Sequence, residues 1–164
     1  MNARTTALSA LIAMRRQNAW ADGALKDDTA RARLDRRDAA LAARLLYGVV
    51  QNRMLLDFYL AQAVSSPLTK LQPVVLDILR LGAYQILFLD KIPVSAAVNE
   101  AVEQTKLYAN KRAAGLVNGS LRTLARRKDE LAQPQDPATK YSHPQPLVDC
   151  LCASMDEETL EAFL

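Results

Sequence analysis

Apolar residues recur at helical spacing along most of this chain. Between Ala3 and Trp20, Ala7, Leu8, Leu11 and Ile12 share one face, Ala19 extends it, and Arg4, Arg15 and Arg16 fall elsewhere. Asp22-Gly23 reads as a break, and the polar stretch from Leu25 to Arg33 as a loop or frayed turn. Asp35 to Val50 is helical again, with Leu41, Leu45, Leu46 and Val49 in one stripe. Gly48 lies inside this helix, where Ala would be better by about 1 kcal/mol; glycine there implies a close helix crossing. Met54 to Val64 continues with Leu55, Phe58, Tyr59 and Ala63, and Ser65-Ser66-Pro67 ends it.

Leu71 to Leu89 is apolar nearly all round, which predicts the central, buried helix. Gly82 in its middle again implies close packing, and Lys91-Ile92-Pro93 stops it. Ser95 is placed to cap the next helix, whose face is Ala97, Val98, Ala101, Val102 and Leu107. A further helix opens at Lys111 or Arg112 and runs to about Lys128, with Val117, Leu121 and Leu124 inward. Gly115 and Gly119, four apart, allow another helix to come close. After Ala132 the texture changes. Four prolines between residues 133 and 146 predict an extended connector, because each removes a donor and biases its predecessor to an extended conformation. Leu147 to Cys152 and Asp156 to Leu164 read as short amphipathic helices, and Asp156-Glu157-Glu158 suits a helix N-terminus. No C-cap signal follows the last of them, so the chain is expected to continue into a larger protein.

The pattern predicts an all-α protein: a helical bundle at residues 1–131, a proline-rich linker at 132–146, and the start of a following region at 147–164. Composition supports it. Five Gly in 164 residues are few for a β-rich fold, and aromatics are 5%, so Leu, Ala, Val and Ile must build the core. Val74 to Leu89 is interrupted by Asp77, Arg80 and Gln85 and is shorter than the roughly 20 residues that span a bilayer. With no signal-peptide pattern either, the expectation is a soluble, cytoplasmic protein without membrane contact. Two cysteines and one histidine supply neither a disulfide framework nor the four ligands of a structural zinc site.

Charge changes the picture more. Residues 1–130 carry 20 Lys+Arg against 12 Asp+Glu, and residues 131–164 carry one against six. A basic body with an acidic tail points to a polyanionic partner. Lys111, Arg112, Arg122, Arg126, Arg127 and Lys128 fall within 18 residues with no acid among them. Arg122 and Arg126 share a helix face with Asn118, and a fixed helix presents such guanidiniums as a row to phosphates. Arg15-Arg16, Arg36-Arg37 and Arg53 are placed to add to it. A solvated helix with dipole-favoured cations at its C-terminal end accounts for the charge equally well.

Catalytic chemistry is harder to assemble. The single His143 sits beside Ser142 in the connector with no orienting partner. Of Cys150 and Cys152, one is expected on the apolar side of a short helix, as a small hydrophobe. Gly115-x-x-x-Gly119 has no preceding strand, so it is not a nucleotide-binding turn. Asn99, Glu100 and Glu103 form an ordinary solvated acidic face.

Several segments are recognisable in order. Asp38-Ala-Ala-Leu-Ala-Ala-Arg-Leu-Leu-Tyr-Gly48-Val-Val-Gln-Asn-Arg53 resembles the second-helix region of NusB-like RNA-binding domains. Leu79-Arg-Leu-Gly82-Ala-Tyr84-Gln85-Ile-Leu, then Ile92-Pro93, then Val98-Asn99-Glu100-Ala-Val-Glu continue that pattern, and Gly115-Leu-Val-Asn118-Gly119-Ser-Leu121-Arg122 resembles the last helix. Lys140-Tyr141-Ser142-His143-Pro144-Gln-Pro-Leu147-Val resembles the segment that joins a NusB-like domain to the catalytic domain in RsmB (Sun) rRNA cytosine-5 methyltransferases. The resemblance implies a NusB-like bundle within a protein that uses S-adenosylmethionine to methylate a cytosine of small-subunit rRNA. It places the cofactor fold and the working cysteines in a covalently linked part beyond this chain, so no cofactor is expected here. Cys150 and Cys152 do not match those cysteines. For this chain it implies RNA contact, at Asn118 and Arg122, which match the last-helix pattern. Arg4, Arg15, Arg16, Arg53, Lys111, Arg112, Arg126 and Arg127 are candidates from charge and spacing alone. Two rivals stand: a free-standing antitermination factor that binds RNA and a ribosomal protein, and a protein–protein scaffold. A second copy of the chain also stays open as a partner.

Overall fold

Local capping sets where the helices begin. In the computed structural model, which describes residues 2–18 and 20–164 and the side chains of all these except 30 and 31, Asn2 accepts a hydrogen bond from the Thr5 N–H and opens α1 (Ala3–Gln17). Ala19, expected to extend the face of α1, lies outside the described residues. α1 ends at Asn18, in the left-handed conformation at φ 51°. α2 is Ala21–Ala32, and Asp35 caps α3 (Arg36–Gln51) through the Asp38 N–H. α4 (Arg53–Ala61) follows after a bend at Asn52. A turn at Leu68–Lys70 leads to α5 (Pro73–Phe88), which has proline at its first position. α6 is Val94–Tyr108 and α7 is Lys111–Arg126, capped by Asn110 onto the Ala113 N–H. After a turn at Lys128–Glu130 come the short α8 (Pro137–Tyr141), α9 (Gln145–Cys152) and α10 (Glu157–Phe163). The described residues contain no strand.

α5 is the central helix, as its all-round apolar pattern predicts, and α1, α3, α4, α6 and α7 pack around it. Two glycines set the approach distances. A Cβ on Gly48 would overlap the Tyr84 ring, and one on Gly82 would lie 2.5 Å from Leu121 Cδ1. Gly115 and Gly119 behave otherwise: both are exposed with open space around them, so they do not bring two helices of this chain together.

The expected loop at 25–33 is helical as far as Ala32 instead, and Arg33 alone, at φ 49°, keeps the turn. Among the described side chains of α2, Ala24 and Asp28, one turn apart, are buried, with Ala21 and Leu25 half-buried against the core. Residues so small and polar leave no apolar period to read, and Gly23 is simply carried inside the helix. The Tyr47 hydroxyl donates to Asp22 and ties α2 to α3. Three smaller expectations also fail. Ser95 is not a cap: Val94 opens α6 directly after Pro93, without a side-chain cap. Leu107 is 75% exposed. Cys150 and Cys152 are both exposed thiols, so neither packs as a hydrophobe.

α4 lies between two neighbours. Leu56 and Leu60 are fully buried on the core side, while the expected stripe of Leu55, Phe58 and Tyr59 is only half-buried. That second side receives the proline segment, which packs along α4. Gln62 exchanges hydrogen bonds with the Ala132 backbone, the Tyr59 hydroxyl donates to Gln133 at 2.6 Å, and the Leu55 N–H donates to Ser142 Oγ at 3.0 Å. Leu131, Pro134 and Ala138 are buried there. The segment is not extended throughout, because Asp136 caps α8 through the Thr139 N–H and Pro137 fills its first position. Val148 of α9 and Leu160 of α10 are buried, and Lys140 pairs with Glu161 at 2.9 Å.

Candidate nucleic-acid interface

α7 is the amphipathic helix on which the basic run sits. Val117, Leu121 and Leu124 are fully buried, with Ala114 and Ser120 beside them. The outer row is Arg112, Gly115, Gly119, Arg122 and Arg126, spaced three, four, three and four residues apart and exposed throughout. At about 1.5 Å of rise per residue the row from Arg112 to Arg126 is roughly 21 Å long. Its ends are cationic and its middle is bare backbone. Each glycine there costs about 1 kcal/mol of helix propensity relative to alanine, with no packing inside the chain to offset it. Arg122 Nε donates to Asn118 Oδ1 at 2.9 Å, which aims the rest of the guanidinium outward. Lys111 is exposed at the N-terminal end.

The other candidates divide. Arg127 faces inward and donates to the Gln62 carbonyl at 3.0 Å, so it binds α7 to α4 rather than facing solvent. Arg4 is half-buried and donates to Gln85 Oε1 at 2.6 Å. Arg16 is exposed but lines a depression with Asp27 and Asp28, which lowers the local positive field. Arg15 and Arg53 come together, from α1 and α4, on a cleft of about 470 Å³ that Asn18, Val49, Asp77 and Arg80 also line.

Arg80 was not among the sequence candidates, because a lone charge within an apolar helix gives no spacing signal. It is the hub of this cleft. Its Nε and Nη2 donate to the two carboxylate oxygens of Asp57, at 2.7 Å each, and its Nη1 reaches Asp77 at 3.5 Å. Arg15 Nε closes on the other oxygen of Asp77 at 3.0 Å. The two-pronged bond to Asp57 has the strong arginine–carboxylate geometry, although Asp57 stays partly exposed, and the weaker contact to Asp77 is the one shielded from water by burial of both partners. The network satisfies Asp77 and fixes Arg15 at the rim, with Arg53 exposed beside it.

The serine, the histidine and the two α6 glutamates that the sequence singled out have structural partners. Ser142 Oγ accepts from Leu55, and His143 Nε2 faces the Leu164 carbonyl at 3.4 Å, so the two do not form a nucleophile–base pair. Glu100 accepts from Asn2 and Glu103 pairs with Lys106. Lys140 holds the Glu161 carboxyl below its ordinary range by hydrogen bonding, and the same bond holds the Lys140 ammonium above its own. No helix is long and apolar enough to cross a membrane among the described residues.

Comparison with known proteins places this geometry. A probable ribosomal RNA small subunit methyltransferase B of Bacillus subtilis is 37% identical over 150 residues, covering 88% of this chain and 33% of its own length. A putative methyltransferase of Mycobacterium tuberculosis is 37% identical over 177 residues, covering 99% of this chain and 38% of its own length. The chain thus spans between a third and two fifths of the length of these relatives. The transcription antitermination protein NusB of Heliobacterium modesticaldum is 39% identical over 89 residues, covering 54% of this chain and 43% of that protein. The solved structure of T. maritima NusB superposes with a TM-score of 0.69 at 25% identity, over 76% of this chain and 88% of that one. The profile of the NusB family matches residues 1–126, the bundle from α1 to the end of α7, and the chain belongs to that family.

Proposed function

We propose that this chain is the RNA-holding domain of an S-adenosylmethionine-dependent rRNA cytosine-5 methyltransferase of the cytoplasm, placing small-subunit rRNA for a catalytic part that binds the cofactor and lies outside this chain. The observation that carries the reading is the exposed row on α7, with arginines at both ends and bare backbone between. Arg122 and Arg126, about 6 Å apart along the helix, suit neighbouring phosphates, Arg112 at the far end suits a more distant one, and the glycines let a sugar–phosphate chain lie close against the helix. Phosphate contacts position rather than specify, so structured rRNA would be held largely by its shape. The methyltransferase setting is favoured by the reach of the similarity. The mycobacterial methyltransferase matches 99% of the chain, the segment along α4 included, whereas the antitermination protein matches 54%.

The test is a titration of the chain with small-subunit rRNA fragments and with unrelated RNA at several salt concentrations. Tight, steeply salt-dependent binding that prefers one rRNA fragment is expected. No binding at low salt would overturn the RNA reading. Binding that requires a ribosomal protein would move the chain to the antitermination role.

A further inference from the structure

A third cleft lies on the other side of α3, at the C-terminal end of α5, and of the cations singled out in the sequence only Arg37 lines it. It holds about 560 Å³, lined by Arg37, Leu41 and Arg44 of α3 and by Phe88, Lys91 and Ile92 at the end of α5 and just beyond. The sequence dictates its shape. Arg37, Leu41, Arg44 and Gly48 recur at spacings of four, three and four, so they form one row on α3. At Gly48 the row has no side chain, and the Tyr84 ring fills that space. Phe88, one turn along α5, stacks on Tyr84 with centroids 5.2 Å apart and planes 18° apart. Tyr84 is buried, but Phe88 is 38% exposed. Tyr84 takes one face of the Phe88 ring, so the exposed surface is the other face and the edge. The aromatic stack therefore runs from the core and ends in solvent, inside a cleft with cations on its rim.

We infer that this cleft is a nucleotide-binding site for single-stranded RNA, in which a base continues the Tyr84–Phe88 stack and flanking phosphates meet Arg37, Arg44 and Lys91. The site rests on the RNA reading of the chain and adds what α7 lacks, a surface that takes a base. Stacking on an exposed aromatic with cations alongside is how proteins hold unpaired nucleotides with little regard to sequence. Charge selects RNA over an apolar peptide. The lining carries three cations, Arg37, Arg44 and Lys91, which form no ion pair among the described residues, against two acids, Asp38 and the exposed Asp90, the latter facing Lys128 at 3.8 Å.

The experiment uses the whole 164-residue chain and a fluorescein-labelled single-stranded oligoribonucleotide, read by anisotropy. Phe88→Leu keeps the apolar volume and removes the ring. It is expected to weaken binding roughly tenfold with the salt slope unchanged, and Phe88→Trp is expected to restore it. Arg37→Gln with Arg44→Gln is expected to weaken binding and flatten the slope. A photo-reactive 5-iodouridine oligomer should form its adduct on the peptide holding Phe88. If wild type and Phe88→Leu bind alike and the adduct forms elsewhere, the cleft serves another partner and this inference falls, while the RNA role of α7 stands. If wild type binds no RNA at low salt, both fall together.

Discussion

Ser142 supplies the N-cap that α4 lacks. Asn52, at the cap position, makes no side-chain cap bond, because its amide donates back to the Gly48 carbonyl. The Leu55 N–H, in the first turn of α4, finds its acceptor 87 residues away, on Ser142 Oγ at 3.0 Å. Ser142 reaches it from a left-handed conformation at φ 55°. The bond joins a helix start in the bundle to the segment that follows it. Ser142→Ala is expected to cost about 1 kcal/mol, the usual loss of a cap. It should also speed proteolysis between residues 131 and 146, which limited digestion with mass spectrometry reads directly. Ser142→Asn, which suits the left-handed conformation and still accepts a hydrogen bond, should behave nearly as wild type.

Gly48→Ala is expected to destabilise the chain although alanine is the better helix former. The new methyl would overlap the Tyr84 ring, which is buried and stacked on Phe88 and so has no free direction to move. Overpacking of this sort costs about 1–3 kcal/mol, against the roughly 1 kcal/mol that alanine gains in propensity. Denaturant titration should show a net loss. A gain in stability would mean that Tyr84 swings out at little cost.

These two contacts show what could be read from the chain beforehand. Gly48 was legible as a close crossing because a glycine inside a strong apolar stripe gives up helix propensity that only close packing returns. The ring that fills the space was not, since partners across helices leave no mark in local spacing. α5 announced itself through its apolar length, yet Arg80 within it carried no pattern and proved to be the centre of the Arg15–Arg53 cleft. α2 escaped because Ala24 and Asp28 make a face too small to show a period. In the proline segment the count of prolines concealed a usable signal: Asp136-Pro137 is a cap followed by proline at the first helical position, the start of α8. On α7 the basic residues and the buried face were both legible. Arg127 turned inward because it lies just past the helix end, where the row is no longer continued.

Removing Arg80 should be costly, and removing it together with its buried partner less so. Arg80→Met strands Asp77, which is buried, with Arg15 alone, and takes both hydrogen bonds from Asp57. Breaking one side of a buried ion network costs about 3 kcal/mol or more. Asp57 is partly exposed and can be rehydrated, which favours the lower end. Arg80→Met with Asp77→Leu leaves no buried charge and is expected to recover part of that loss. Equilibrium unfolding of these two and of Asp77→Leu alone gives the coupling, and full additivity would mean that the two residues act independently.

The C-terminal helices should loosen in acid. Backbone hydrogen bonds from Thr139 and Thr159 hold the carboxyls of Asp136 and Asp156 below their ordinary value, and the bond from Lys140 does the same for Glu161. A carboxyl depressed in the folded state stabilises it fully above the ordinary value, and the contribution is lost as pH falls through the depressed one. The window therefore opens near pH ~4, the ordinary carboxylate range, and extends downward. Amide exchange at residues 138–141 and 157–163 should rise in that window. Asp136→Asn with Asp156→Asn keeps the caps but removes their titration, so it should flatten the change. An unchanged profile would assign the acid sensitivity to other groups.

Arg122 with Arg126 on α7, and Arg15 with Arg53 on their cleft, all candidates from charge, should not contribute equally to the salt dependence of RNA binding. Each phosphate neutralised by a cation adds roughly 0.7 to the slope of log affinity against log salt for single strands and about 0.9 for duplex. Arg122 and Arg126 stand exposed on a helix whose outer row carries no acid, so both are free to meet phosphates. Arg15 is already engaged by Asp77 at 3.0 Å, which leaves Arg53 as the fully available cation of its cleft. Arg122→Gln with Arg126→Gln is therefore expected to lower the slope by about 1.4–1.8, and Arg15→Gln with Arg53→Gln by about half as much. Because Arg15→Gln also disturbs Asp77, the comparison needs the melting temperature of each variant. A slope that falls more for the cleft pair than for the α7 pair, in folded variants, would place the main phosphate contact between α1 and α4 instead of on α7.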